Sequence, residues 1–153
     1  MNNQDELSVV SEVELIYRSK TRASLRPMIR RSQDSYRVLL GYWNLNKIEF
    51  IEEFKVLYLN RGYRVLAINE LSTGGMTGTV ADPRLIFATA LKLNATAVIL
   101  CHNHPSGNTT PSEVDKMLTE KLKSAGRFLD ITVSDHLIIS AEGYFSFADE
   151  GLL

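Results

Sequence analysis

Residues 97–118 read Ala97-Val-Ile-Leu-Cys-His-Asn-His-Pro-Ser-Gly-Asn-Thr-Thr-Pro-Ser-Glu-Val-Asp-Lys-Met-Leu118, and this stretch decides the fold. The apolar run Ala97 to Leu100 predicts a short buried strand that stops at polar residues. His102 and His104 stand at its end. Residues two apart on a strand point to one face, so both imidazoles can reach the same point in space. Cys101, between the two faces' alternation, then points away from them into the core. Pro105, Ser106, Gly107 and Asn108 predict a turn, and a helix is expected to start near Thr110.

The helix start reads residue by residue. Thr110 suits the N-cap, Pro111 the first helical position, and Glu113 the far corner of a capping box. On that reading Ser112 and Asp115 have no capping duty, and their spacing of three puts them on one face of the first turns. Two imidazoles and one carboxylate form the donor set of a catalytic zinc, with the fourth position left for water. A second carboxylate elsewhere would serve as the base for that water. Taken singly, a histidine at a strand end is a surface residue and Ser-x-x-Asp is a helix start. Their ordered combination (strand, His-x-His, turn, capped helix, same-face Ser and Asp) favours a metal site.

The spacing His102-x-His104, seven residues, Ser112, two residues, Asp115 resembles the JAMM signature of the JAB/MPN metalloprotease superfamily. The fuller string His102-Asn-His104-Pro-Ser-Gly, with Asp135-His136-Leu-Ile-Ile139 downstream, is similar to its bacterial RadC-like branch. The resemblance runs from about Phe50 to the C-terminus. It implies a single MPN/JAB-type α/β domain, with a mixed β-sheet flanked by helices in a cytidine-deaminase-like three-layer arrangement. It implies one Zn2+ per chain held by His102, His104 and Asp115, with Ser112 hydrogen-bonding the reaction oxyanion. The implied activity is zinc-dependent hydrolysis of amide bonds, as in peptidases and isopeptidases, so a peptide or protein substrate is expected.

Such hydrolysis needs a base, and the upstream carboxylates are Glu49, Glu52, Glu53 and Glu70. JAMM proteins place their glutamate at the start of an apolar strand before the His-x-His strand. Glu53-Phe-Lys-Val-Leu-Tyr-Leu59 matches that position, which makes Glu53 the expected base. Glu52 would point to the opposite face if the strand already runs there, and Glu70 is the fallback. Asp135 or His136 is expected at most to hold a ligand through a hydrogen bond.

Composition bounds the rest. With 153 residues, 44% of them apolar, the chain can bury a core as a single domain. A net charge of −1 argues against nucleic-acid affinity from bulk charge. No apolar run reaches the ~18 residues that span a membrane. One cysteine excludes an internal disulfide and fits a cytoplasmic location. It also excludes the nucleobase deaminases, which need a Pro-Cys-x-x-Cys pair.

Elsewhere, residues 1–8 read as frayed, Val9 to Tyr17 as an edge strand, and 18–31 as a basic strip (Arg18, Lys20, Arg22, Arg26, Arg30, Arg31). The strip is either a solvated face or a contact for nucleic acid or an acidic partner. Ser32 to Leu45 predicts a helix burying Tyr36, Leu39, Leu40 and Trp43, capped by Ser32 or Ser35. Phe54–Leu59 and Tyr63–Ile68 predict a hairpin, and Leu71–Thr79 a Gly-rich loop. A helix from Asp82-Pro83 would bury Leu85, Ile86, Ala88, Thr89 and Leu93. The helix over 111–125 would bury Val114, Leu118, Leu122 and Ala125 and end near Gly126. Ile131–Val133, His136–Ser140 and Tyr144–Phe147 predict three further strands. Residues 1–45 thus read as an N-terminal extension packing on a metal-binding domain over 46–153. Two other functions compete: a metal-dependent nuclease or DNA-repair protein, from the basic strip and the label RadC-like proteins traditionally carry, and a non-catalytic metal-binding interaction module.

Overall fold

The computed structural model describes residues 10–14, 16–74 and 81–153. The expected frayed start, Val9 and Leu15, and residues 75–79 of the Gly-rich stretch lie outside them. After a 3-10 turn at Ala23–Leu25 come α1 (Ser32–Gly41), β1 (Glu53–Leu59), β2 (Val65–Thr73), α2 (Pro83–Lys92), β3 (Ala97–Asn103), α3 (Glu113–Phe128), β4 (Thr132–Ile139) and β5 (Tyr144–Ser146). The strands form one sheet in the order β2-β1-β3-β4-β5. β1 runs antiparallel to β2 and β3, while β3 and β4 are parallel and joined through α3. Parallel neighbours need such a crossover.

The sheet is covered on both faces, which makes three layers. Phe54, Val56, Val98 and Leu100 pack with Ile86 and Phe87 of α2 and Leu122 of α3. Leu57, Leu59, Ile99, Cys101, Leu137 and Ile139 pack on the other side with Leu39 of α1 and Trp43. Double coverage explains why β1 and β3 are buried along their whole length and carry the apolar runs Val56–Leu59 and Ala97–Cys101. The α/β class and the three-layer mixed sheet are as the sequence predicts.

Several elements depart from expectation. Among the described residues, 10–14 and 16–20 form no strand. Val10, Val13 and Ile16 stay exposed, so alternation there buries no face among the described residues; the Tyr17 hydroxyl reaches β2 at the Leu66 carbonyl (3.4 Å). Neither Ser32 nor Ser35 caps α1. The Asp34 carboxylate accepts the N–H groups of Arg30 and Arg31 instead, and Ser32 Oγ meets Tyr144 Oη at 2.9 Å. β2 continues to Thr73, three residues into the stretch expected as loop. α2 buries Ile86, Phe87 and Ala90, while Leu85 is 53% exposed. Its start is as predicted, with Asp82 Oδ1 accepting the Arg84 N–H at 2.9 Å.

α3 passes through Gly126 to Phe128, so this glycine does not end the helix. It is a contact point: a Cβ there would lie 2.3 Å from the Ile131 carbonyl oxygen and 3.3 Å from the Phe87 ring. That notch is what admits Phe87 to the core. Gly126→Ala is expected to destabilise the protein by about 1–3 kcal/mol, despite the ~1 kcal/mol that alanine gains in helix propensity, because a backbone carbonyl cannot swing aside. A lowered urea midpoint checks it.

The two strands expected over 131–140 are one strand, β4, broken in register. Val98 pairs with Val133 but Ile99 pairs with Asp135, so Ser134 is an extra residue. A one-residue bulge flips every later side chain to the other face. Val133 faces α2 and α3, yet after the bulge Leu137 and Ile139 face α1, which turns His136 toward α3. The Asp135 carboxylate holds the bulge, accepting from His136 N, Ala148 N and Ser146 Oγ.

Candidate metal centre

The centre is built where β3 ends. The Asn103 side chain donates to the carbonyls of Ile48 (2.7 Å) and Ile51 (2.9 Å) and accepts the Glu53 N–H (2.8 Å). One buried amide thereby pins the approach to β1 against the end of β3. The chain then turns at Gly107, whose φ of +78° is the left-handed conformation glycine adopts without strain. The turn returns Asn108 to His104, whose Nδ1–H donates to the Asn108 carbonyl at 2.6 Å. A carbonyl only accepts, so His104 carries its proton on Nδ1 and presents Nε2.

His102 Nε2 lies 3.1 Å from His104 Nε2 and 3.2 Å from Asp115 Oδ1. His104 Nε2 lies 3.5 Å from Asp115 Oδ2. A tetrahedral centre with bonds of about 2.0–2.1 Å has donor–donor edges of about 3.3 Å, so the spacing suits a zinc ion. Among the described residues, this is the group of histidine and acid side chains whose donor atoms converge, all within 4.8 Å of one another. Burial would raise the Asp115 carboxyl, but the His102 and His104 rings and the Ser112 hydrogen bonds beside it outweigh that and hold it far below the usual carboxylate range. His104 is pushed up, chiefly by its hydrogen bond to Asp115, with the Glu52 charge also contributing.

Ser112, not Thr110, caps α3. Its Oγ accepts the Asp115 N–H (3.2 Å), and Asp115 Oδ2 accepts both the N–H and the hydroxyl of Ser112, each at 2.7 Å. Ser112-x-x-Asp115 is therefore itself the capping box, and Thr110 serves the preceding turn by donating its N–H to Asn108 Oδ1. The capping function and the metal-donor position coincide in Asp115, because a box closed on Oδ2 leaves Oδ1 facing the imidazoles.

His136 sits behind the centre, fully buried, with Nε2 2.8 Å from His102 Nδ1 and Nδ1 2.6 Å from Thr119 Oγ1. Burial, and next the neighbouring His102, push its pKa well down. Asp135 does not reach the centre. Cys101 is buried on the α1 face, as expected, and burial pushes its thiol pKa well up.

Glu53 lies on the face of β1 away from His102. Phe54 pairs with His102 across the β1–β3 ladder and stacks on its ring, with centroids 6.0 Å apart. Neighbouring Glu53 must point oppositely, where its Oε2 lies 3.2 Å from Lys55 Nζ. Glu70 joins the same cluster, 2.7 Å from Lys55 Nζ. Lys55 in turn lies over the Trp43 ring. Both sequence candidates thus serve one ion cluster on the α1 side. Glu52, the residue just before β1, lies near enough for its charge to be felt at His104.

Compared with known proteins, residues 29–152 match the RadC-like JAB domain. The chain is 42% identical over 147 residues to a UPF0758 protein of Flavobacterium johnsoniae, covering 95% of this chain and 63% of that one. It is 48% identical over 102 residues to the UPF0758 protein YfjY of Escherichia coli, covering 67% of this chain and 64% of that one. A UPF0758 protein of Porphyromonas gingivalis is 50% identical over 103 residues, 67% of this chain and 45% of that one. The chain therefore spans between 45% and 64% of the length of these relatives. With its three-layer sheet and its convergent His-His-Asp group, the chain belongs to the RadC-like JAB-domain family of the JAB/MPN superfamily.

Proposed function

We propose that this chain is a zinc-dependent hydrolase of amide bonds, a peptidase or isopeptidase. The observation that carries the reading is the convergence of His102 Nε2, His104 Nε2 and Asp115 Oδ1 at the edge lengths of a tetrahedral ion. Three protein donors are the number used by catalytic zinc sites, whereas structural sites use four. Zinc, when bound, supplies Lewis acidity that brings the pKa of a water toward about 7. Glu52 then takes the proton from the attacking water and returns one to the leaving amine. Phe54, stacked on His102, keeps that side of the pocket apolar.

Ser112 is proposed to donate its hydroxyl to the oxyanion. It can turn away from Asp115 Oδ2 without orphaning it, because the Ser112 N–H holds the same oxygen at 2.7 Å. Ser112→Ala is expected to keep its zinc, to lose about 1 kcal/mol of stability with its cap, and to lose turnover by about 10²–10³-fold. Native rates in that variant would remove Ser112 from the chemistry. The activity itself is tested by hydrolysis of peptide and isopeptide libraries by the zinc-loaded protein, with a chelated control. Cleavage that survives complete removal of zinc would overturn the proposal.

A second reading is favoured by the basic strip. Arg18, Lys20, Arg22, Arg30 and Arg31 are exposed and Arg26 half-buried, and none makes an ion pair among the described residues. The hairpin turn adds Arg61 and Arg64, with Arg64 bridged to Met28. Binding of nucleic acid there would weaken steeply with salt; salt-independent or absent binding would dismiss it.

A further inference from the structure

Thr119, one turn beyond Asp115 on α3, has a single hydroxyl proton. Its Oγ1 lies 2.6 Å from the Asp115 carbonyl oxygen. That oxygen can only accept, so the proton is committed there. Oγ1 also lies 2.6 Å from His136 Nδ1, and with its proton spent it can only accept. His136 Nδ1 is therefore the donor.

The His136 ring is stacked on Phe147, with centroids 4.8 Å apart, and tilted against Phe54 at 5.8 Å. Apolar walls of this kind favour the neutral ring over a buried cation. A neutral ring protonated on Nδ1 offers a lone pair at Nε2, which lies 2.8 Å from His102 Nδ1. His102 Nδ1 must then carry the proton, which leaves His102 Nε2 bare. That is the atom facing His104 Nε2 and Asp115 Oδ1. Each link follows from the one before, and the whole direction is set by one backbone carbonyl.

We propose that Thr119 and His136 are positioning residues for the metal centre. They form a directed hydrogen-bond chain from the Asp115 carbonyl to His102 Nδ1 that fixes the His102 tautomer with Nε2 as the lone-pair donor. The chain starts on the residue that also supplies the carboxylate donor, so Asp115 sets the Nδ1 side of His102 through its carbonyl and faces the bare Nε2 with Oδ1. Orientation of a ligating imidazole through its second nitrogen is a general device; here the holder is another imidazole, turned to this face by the Ser134 bulge. The consequence for zinc rests on the proposed role of His102 as a ligand, whereas the tautomer itself does not.

The first measurement is the ¹⁵N–¹H long-range NMR pattern of the histidine rings in metal-free native protein. His102 in the Nδ1–H form supports the chain, and His102 in the Nε2–H form overturns it. This readout needs no variant and no metal, so it decides the point even if the protein takes up no zinc. The second is zinc affinity by competition with a chromophoric chelator, in Thr119→Val and Thr119→Ser. Thr119→Val is expected to lose the single His102 tautomer and to bind zinc about 10–100-fold more weakly. Thr119→Ser, which keeps the hydroxyl, is expected to restore both. Native zinc affinity in Thr119→Val, in a protein that does bind zinc, would overturn the positioning role while leaving the metal site standing.

Discussion

Purified with its metal, the native protein is expected to carry about one zinc per chain, and His104→Ala and Asp115→Ala to carry none. Each variant removes one of three converging donors. Asp115→Ala also removes the acceptor that holds the His104 imidazole, whose Nε2 lies 3.5 Å from its carboxylate. The same geometry sets a pH dependence. In the metal-free protein the Asp115 hydrogen bond raises the His104 pKa, so the proton on His104 Nε2 occupies the lone pair a metal would take. Zinc binding must expel it. Affinity is therefore expected to be constant above that raised pKa and to fall as pH drops through it. Elemental analysis and chelator competition across pH check both statements. Zinc retained in both variants, or absent from the native protein after reconstitution, would sink the centre.

Glu52→Gln is expected to keep its zinc and lose about 10²–10⁴-fold in kcat, while Glu53→Gln keeps native turnover. The physical basis is the parity of a strand. Phe54 faces His102 and stacks on it, so its neighbour Glu53 faces away, whereas the charge of Glu52 is felt at His104. Glu53 lies beside buried Lys55. Its amidation is expected to cost about 1.5–3 kcal/mol of stability, because a buried ammonium loses one of its carboxylates. The two variants thus separate chemistry from folding: one reads out in single-turnover rates, the other in a denaturation midpoint. The reverse pattern would return the base to Glu53.

Much of the centre was legible in the sequence because its signals are local. His102 and His104 share a strand face through a period of two, and Asp115 lies on the first turn of the next helix. What local signals misjudged was duty. Thr110-Pro111 makes an acceptable helix start in isolation, yet Ser112 takes the cap, because closing the box on Asp115 Oδ2 also aims Oδ1 at the imidazoles. Phe87 displaces Leu85 from the core for a reason no helical stripe encodes: Gly126, nearly forty residues on, leaves a notch for its ring.

By itself, then, the sequence determined the α/β class, the order of strands and helices that flank the centre, and the three donors to be brought together. Those depend on periodicity, capping residues and spacing, which act over a few residues. It was the tertiary structure that set Glu53 beside Lys55 and His136 behind His102. Both depend on where a strand begins relative to its partner and on one extra residue, Ser134, in β4. A shift of one residue in a strand exchanges its two faces, and register is set by cross-strand pairing and by contacts such as the Asn103 side chain to Ile48, Ile51 and Glu53. Those partners lie fifty and more positions away along the chain.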